Sequence, residues 1–344
     1  MPSARPIRRV LVLVCLLAAG GLAAGPAEDA FLKKREEAER GAIEAQYDLG
    51  VCYHEGAGVA KNDAEAVKWL RKAAERGHAK AQSGLGFCYQ SGAGVPKDEA
   101  EGAQWFRKAA DQGLAKGQCN LGTSYHQGSG VPKDDAEAVK WFRKAAEQGD
   151  AEAQSYLGLC HAEGMGVPKD VAEGAKWFRK AAEQGLAQAQ NALAVCCVNG
   201  TGMAKDEADA VKWFRKAAQQ GLPQAQYHMG MCHVNGIGVA KDGAEAVKWF
   251  RKAAEQGSAK AQNELAVCYA NGTGVAKDEA EAVKWFRKAA EQGLDTAQYY
   301  LGVCCVQGLG MAKDKEEGLK WLRKAAQQGF APARKLLTVA SEET

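Results

Sequence analysis

Residues 62–77 read NDAEAVKWLRKAAERG, and residues 278–293 read DEAEAVKWFRKAAEQG. The same phrase recurs along the chain, its tryptophan falling at Trp69, Trp105, Trp141, Trp177, Trp213, Trp249, Trp285 and Trp321, each 36 residues after the last. The 344-residue chain has no other tryptophan. A fixed period of this length marks a tandem array of one supersecondary unit, which is stabilised by stacking on its neighbours. The period overrides the two or three domains that length alone suggests.

The phrase carries its own boundaries. Asn62 stands three residues before Glu65, and the same places hold Asp98/Glu101, Asp134/Glu137, Asp170/Glu173, Asp206/Asp209, Asp242/Glu245, Asp278/Glu281 and Asp314/Glu317. An Asx N-cap followed by an acid at the third helical position resembles a capping box and predicts a helix start. The acids also favour the positive end of the helix dipole. Ala66, Leu70 (Phe in most copies) and Ala73 share one face, and Gly77 has a counterpart in every copy, as a left-handed C-cap requires. This is helix B. Upstream, Ala45-Gln46-x-x-Leu49-Gly50-x-Cys52-Tyr53 sets small and apolar residues at helical spacing, giving helix A, and Gly56-x-Gly58-Val59 breaks it.

The expected fold is therefore an all-α solenoid of eight 36-residue helix-turn-helix repeats over residues 42–329. Residues 26–41 align with a lone helix B, with Ala30 and Gly41 in register and Lys33 where Trp is expected. Residues 330–344 read as a final half-unit and tail. Both fit polar-faced caps on ends that would otherwise be exposed. Lys68, Arg71 and Lys72 lie off the apolar face among Glu65 and Glu75, which predicts a solvated outer face in preference to a basic ridge.

The N-terminus is a different kind of sequence. Arg5, Arg8 and Arg9 precede an apolar run from Val10 to Ala19, then Gly20-Gly21-Leu22-Ala23-Ala24. That order predicts a secretory signal peptide over residues 1–24, cleaved after Ala23 or Ala24. The run is short for a membrane span, so no membrane insertion is expected after cleavage, an uncleaved anchor being the alternative reading. The full chain has 45 basic and 42 acidic residues, and removing three arginines leaves 42 of each. A neutral chain has no electrostatic reason to bind nucleic acid.

Gln46-x-x-Leu49-Gly50-x-x-Tyr53, Gly56-x-Gly58-Val59-x-Lys61 and Ala66-x-x-Trp69-x-x-x-Ala73-Ala74-x-x-Gly77 together resemble the Sel-one-like repeat, a relative of the tetratricopeptide repeat. The resemblance implies a right-handed superhelix of antiparallel helix pairs and a non-enzymatic role as adaptor or scaffold. Secreted bacterial members of that family are linked to cell-envelope and host interactions.

By analogy with tetratricopeptide repeats, the partner-binding stripe is expected at the places of Glu44, Tyr47, Val51 and His54. Spacings of three and four keep these on one helix face. The candidate contacts are Tyr47, Phe87, His126, Leu159, Tyr227, Met231, Val234, Tyr299, Val303 and Val306. The stripe turns apolar after Ala162, which suits an apolar peptide or helix. Packing against the next helix A and drift between duplicated units are the competing explanations.

Other residues invite chemistry and do not supply it. Seven cysteines share one helix A place: Cys52, Cys88, Cys160, Cys196, Cys232, Cys268 and Cys304. Stacked units set them ~10 Å apart, too far for disulfides, so they are expected as small buried hydrophobes. Cys196-Cys197 and Cys304-Cys305 form bridges only under strain. Cysteine-rich members of the resembled family pair a cysteine late in helix B with one early in the next helix A. Here the late place holds Ala74 and Ala110, and only Cys119 falls early. His161, Cys197, His233 and Cys305 replace Tyr at the place of Tyr53, at a spacing too wide for shared metal ligation. No metal and no cofactor is expected. Some cysteine-rich relatives are described as penicillin-binding or β-lactamase proteins, but this chain has no Ser-x-x-Lys. Asn199-Gly200-Thr201 and Asn271-Gly272-Thr273 fit the glycosylation sequon as well as ordinary turn chemistry. The expected function is that of a non-enzymatic exported scaffold, periplasmic or extracellular, binding a protein or peptide partner. An envelope-associated penicillin-binding or β-lactamase-like protein and a structural spacer in an envelope complex are the alternatives.

Overall fold

The computed structural model of the protein describes residues 25–342, with side chains to residue 338. The expected signal segment, residues 1–24, lies outside the described residues. Among the described residues there are eighteen helices and no strand. The first repeat places helix A at Ile43–Glu55 and helix B at Asp63–Glu75, and the last at Asp295–Gln307 and Lys315–Gln327. Helices Pro26–Glu39 and Ala331–Glu342 flank them. The chain is an all-α solenoid whose helices group into two compact units, one up to Trp141 and one from Phe142.

Within each unit, every helix packs chiefly against its chain neighbours. Leu49, Leu85, Leu121 and Phe106 are fully buried in the first unit; Phe142, Leu157, Leu193, Met229, Phe250, Leu265 and Leu301 are so in the second. Small residues set the distance between helices. A Cβ on Gly86 would lie 2.7 Å from the Phe106 ring, so glycine lets the aromatic side chain of helix B press onto helix A.

The two turn glycines have separate jobs. Gly92 (φ +77°) is the left-handed C-cap of helix A Ala79–Ser91. Gly94 (φ +71°) comes so close to the preceding repeat that a Cβ there would lie 2.1 Å from the Asp63 carbonyl oxygen. The turn thus rests on the first residues of the previous helix B, backbone against backbone.

The Asx caps form as expected: Asp98 Oδ1 accepts from the Glu101 N–H at 3.0 Å. The acid at the third position does not complete a reciprocal box. In four repeats its carboxylate turns to the tryptophan of its own helix instead, with Trp105 Nε1 donating to Glu101 at 2.8 Å, Trp141 to Glu137 at 3.0 Å, Trp213 to Asp209 at 3.1 Å and Trp321 to Glu317 at 2.7 Å. In seven repeats the lysine three residues after the tryptophan lies over its ring, as Lys108 does at 3.7 Å. Trp105, Trp213 and Trp321 are therefore held by an acid on one side and covered by a cation on another.

A glutamine ladder ties repeat to repeat. Gln82 Nε2 donates to the Ala74 carbonyl at 3.1 Å, and the glutamines at 118, 154, 190, 226, 262 and 298 reach the same place in the helix B before them. The other side of the amide is used as well. Gln82 Oε1 accepts from Gln112 Nε2 at 2.7 Å, thirty residues on, and Gln184, Gln220, Gln256, Gln292 and Gln328 serve the later repeats. The amides of Gln82, Gln154, Gln190, Gln226, Gln262 and Gln298 are thus paired at both ends, as a polar group in an apolar interior requires.

Candidate functional site

Helix A and helix B of a repeat differ in what they leave outside. Helix B spends its apolar face on the core and its outer face on Lys, Arg and Glu. Helix A keeps Ala45, Gln46, Leu49 and Gly50 and their counterparts inward and leaves the places of Asp48 and Val51 half-buried or exposed. These are the parts of helix A open to solvent.

The place of Val51 holds two of the expected contacts in the open: Phe87 is 52% exposed and Leu159 40%. Met231 and Val303, at the same place, are half-buried. Met231 and its neighbours Tyr227 and Val234 pack beside Val247, Phe250 and Leu265, which belong to the next helices. Tyr227 lies 6.1 Å from the Phe250 ring. Tyr299, Val303 and Val306 likewise pack beside Leu322 and Ala333, with Tyr299 5.4 Å from Phe330. The stripe is therefore half surface and half junction between repeats.

Two stripe residues in the first unit have polar or ring partners of their own. Tyr47 stacks on His78 at 4.8 Å, and burial pushes its phenol pKa up. His126 Nδ1 lies 2.6 Å from Asp135 Oδ1. The first contact ties helix A to the N-cap of the next helix A, and the second ties it to the helix B of its own repeat.

The place of Asp48 was not part of the expected stripe, yet it faces outward beside Val51. Its occupants are Asp48, Gly84, Asn120, Tyr156, Ala192, His228, Glu264 and Tyr300, seven residue types in eight copies. Its rings lie on the buried phenylalanine of the preceding helix B: Tyr156 on Phe142 at 4.8 Å, His228 on Phe214 at 4.8 Å and Tyr300 on Phe286 at 5.2 Å. Tyr300 remains 41% exposed. Burial pulls the His228 pKa down, helped by Lys260, and pushes the Glu264 pKa up. Variation between copies was the legible signal for this place.

Burial pushes the thiols of Cys88, Cys197, Cys232, Cys268 and Cys304 up to about 11, so they stay protonated and are poor nucleophiles. All ten described cysteines are free, including the adjacent pairs. Among the described residues no group of three or more His, Cys, Asp or Glu side chains converges as metal ligands. No described helix is long and apolar enough to cross a membrane.

The Sel1 repeat family model matches eight consecutive segments: residues 43–78, 79–114, 115–150, 151–186, 187–222, 223–258, 259–294 and 295–330. The chain belongs to the Sel1 repeat family. Sel1 repeat proteins are generally non-enzymatic scaffolds for protein interactions. Among solved structures, the chain is similar to a protective antigen of uropathogenic Escherichia coli strains that displays an SLR fold. The two are 39% identical over 91% of this chain and 67% of that one, with a TM-score of 0.75. It is also similar to a Sel1 repeat protein of Oxalobacter formigenes, at 32% identity over 99% of this chain and 98% of that one, with a TM-score of 0.66. A comparison with curated proteins returns no match.

Proposed function

We propose that this Sel1 repeat protein is an exported, non-enzymatic scaffold that takes a protein or peptide partner on its helix A face. One observation carries the reading. The outward places of Asp48 and Val51 change from copy to copy, while the tryptophan, the glutamine ladder and helix B hardly change. Repeat arrays offer such faces as extended binding surfaces. In the second unit the face presents Tyr156, Leu159, His228, Met231, Glu264 and Tyr300, a mixture of rings, apolar side chains and few charges that suits an amphipathic or extended peptide. Export rests on the order of residues in segment 1–24, and the antigenic character of the E. coli relative supports it. Residues 26–41 and 330–344 serve as end caps in this reading.

Affinity capture from native envelope extract, with mass spectrometry of the bound proteins, tests it. Leu159→Ser with Tyr300→Ala alters two exposed side chains and should leave the circular dichroism unchanged. Capture of the same protein in the same amount by both forms would remove the helix A face as the binding surface.

A further inference from the structure

At three junctions a guanidinium of one helix B is closed off by the tyrosine of the next helix A. Arg71 donates to Tyr89 Oη at 2.6 Å and Arg251 to Tyr269 Oη at 2.7 Å, and Arg107 bonds Tyr125 in the same way. In two of these the guanidinium carbon also lies 5.7 Å from the ring centroid. The arginine meets a phenol: a π face and an oxygen acceptor together.

The fifth repeat breaks this arrangement. Cys197 stands at the tyrosine place, and Met203 replaces the valine found at Val95 and Val275. Met203 Sδ lies 3.7 Å from Cys197 Sγ, so the thioether refills part of the volume of the missing ring. A thioether is a weak acceptor and does not replace the phenol oxygen. Arg179, half-buried, has no hydrogen bond or ion pair among the described residues. The eighth repeat makes the same exchange, with Cys305 and Met311 3.6 Å apart, but there Arg287 lies 4.0 Å from the Glu317 carboxylate. In the fifth repeat the corresponding acid is Asp209, one methylene shorter and bonded to Trp213.

A cavity of about 400 Å³ opens beside Arg179, with Ala172, Ala175 and Met203 in its lining. That size lies within the span of small-ligand sites, roughly 300–1,000 Å³. The other cations along it are engaged: Lys176 with Glu173 at 3.1 Å and Lys180 over the Trp177 ring at 3.8 Å. Glu183, four residues after Arg179 on the same helix, is the one acid on the lining and makes no ion pair with it, so Arg179 is left to answer an acceptor from outside.

We propose that this cavity binds a phenolic ring, whose oxygen accepts from Arg179 and whose carbon face lies on Met203 and the alanines. The ring takes the role that Tyr89, Tyr125 and Tyr269 play within the chain. The site is separate from the helix A face and does not depend on it. A small free phenol and a tyrosine side chain of a partner present the same chemistry.

The test is titration of the full chain with p-cresol, read by the methyl signals of 13C-labelled methionine. The Met203 signal should move and the Met311 signal should not. Toluene, which lacks the oxygen, should bind at least about tenfold more weakly. Arg179→Leu should abolish that difference. N-acetyl-tyrosinamide separates the sources: affinity like that of p-cresol points to a partner's tyrosine, and exclusion points to a free phenol. Cys197→Tyr with Met203→Val restores the pair found in the second repeat. It should melt at higher temperature and show no p-cresol binding by calorimetry. An unmoved Met203 signal, or equal affinity for p-cresol and toluene, overturns the proposal on the unmodified chain, whatever the variants do.

Discussion

Gln112 donates through Nε2 to Oε1 of the buried Gln82 at 2.7 Å, and Gln82 in turn donates to the Ala74 carbonyl at 3.1 Å. One side chain therefore links three successive helices. Gln82→Ala removes two hydrogen bonds, to Gln112 and to the Ala74 carbonyl, which still accepts from the Gly77 N–H at 3.0 Å, and it should cost about 1–3 kcal/mol in urea unfolding. The first repeat supplies the converse. There the place of Gln112 is taken by Arg76, which donates to the Gly41 carbonyl, and Gln46 Oε1 is buried without a partner. Arg76→Gln should gain about 0.5–1.5 kcal/mol by completing the rung.

Two tryptophans allow the acid contact to be separated from the ring. Trp105 Nε1 donates to Glu101, whereas Trp249 Nε1 is buried without an acceptor. Replacing either by Phe removes similar apolar area. Trp105→Phe should cost about 1 kcal/mol more than Trp249→Phe, measured by paired thermal melts. Equal losses would mean that the acid contributes only to the helix start.

The raised thiol pKa values set a limit on alkaline stability. Below about 9, the ordinary thiol value, both folded and unfolded chains keep the proton and the cysteines are neutral in the balance. Between 9 and about 11 the unfolded chain ionises while Cys88, Cys232 and Cys268 resist. Stability contributed by these thiols is therefore lost as pH rises through that window. Chemical denaturation at pH 8 and pH 10 should show the midpoint falling. Iodoacetamide at pH 8 should leave the native thiols largely unmodified and label all ten described cysteines after denaturation.

Glu264 gives a handle of the same sign in a lower pH range. Burial raises its folded pKa, so its contribution is favourable at low pH and is lost as pH rises through that value. Glu264→Gln should raise the melting temperature at pH 7, and the gap should close as pH is lowered below the ordinary carboxylate range. A Gln variant that melts lower at pH 7 would show that the charge is answered by a group other than Asn263, which donates to Glu264 at 3.1 Å.

Local signals were legible in the sequence because their causes are local. Asn62 and Asp98 cap within three residues, and Gly77 closes a helix within one turn of Ala73. The glutamine ladder was hidden, because Gln82 and Gln112 meet only once two repeats are stacked. The stripe was legible in part. Helical spacing groups Tyr227 and Met231 on one face, but it does not tell how much of that face the next helix B covers with Phe250. The place of Asp48 was missed because the analogy supplied the register in advance of the residues, whereas its own variability pointed to it. The acid at the third helical position was read as part of a cap; its bond to tryptophan depends on a side-chain rotamer that spacing does not determine.

The turn glycine Gly94 rests on the Asp63 carbonyl, and Gly130 rests in the same way on Glu99. The interval between neighbouring repeats is thereby set by main-chain atoms that every sequence shares. Substitution on helix A can rewrite what a repeat recognises without changing where the next one begins. A lineage carrying such an array can exchange one recognition element at a time, and each trial leaves the remaining elements in place.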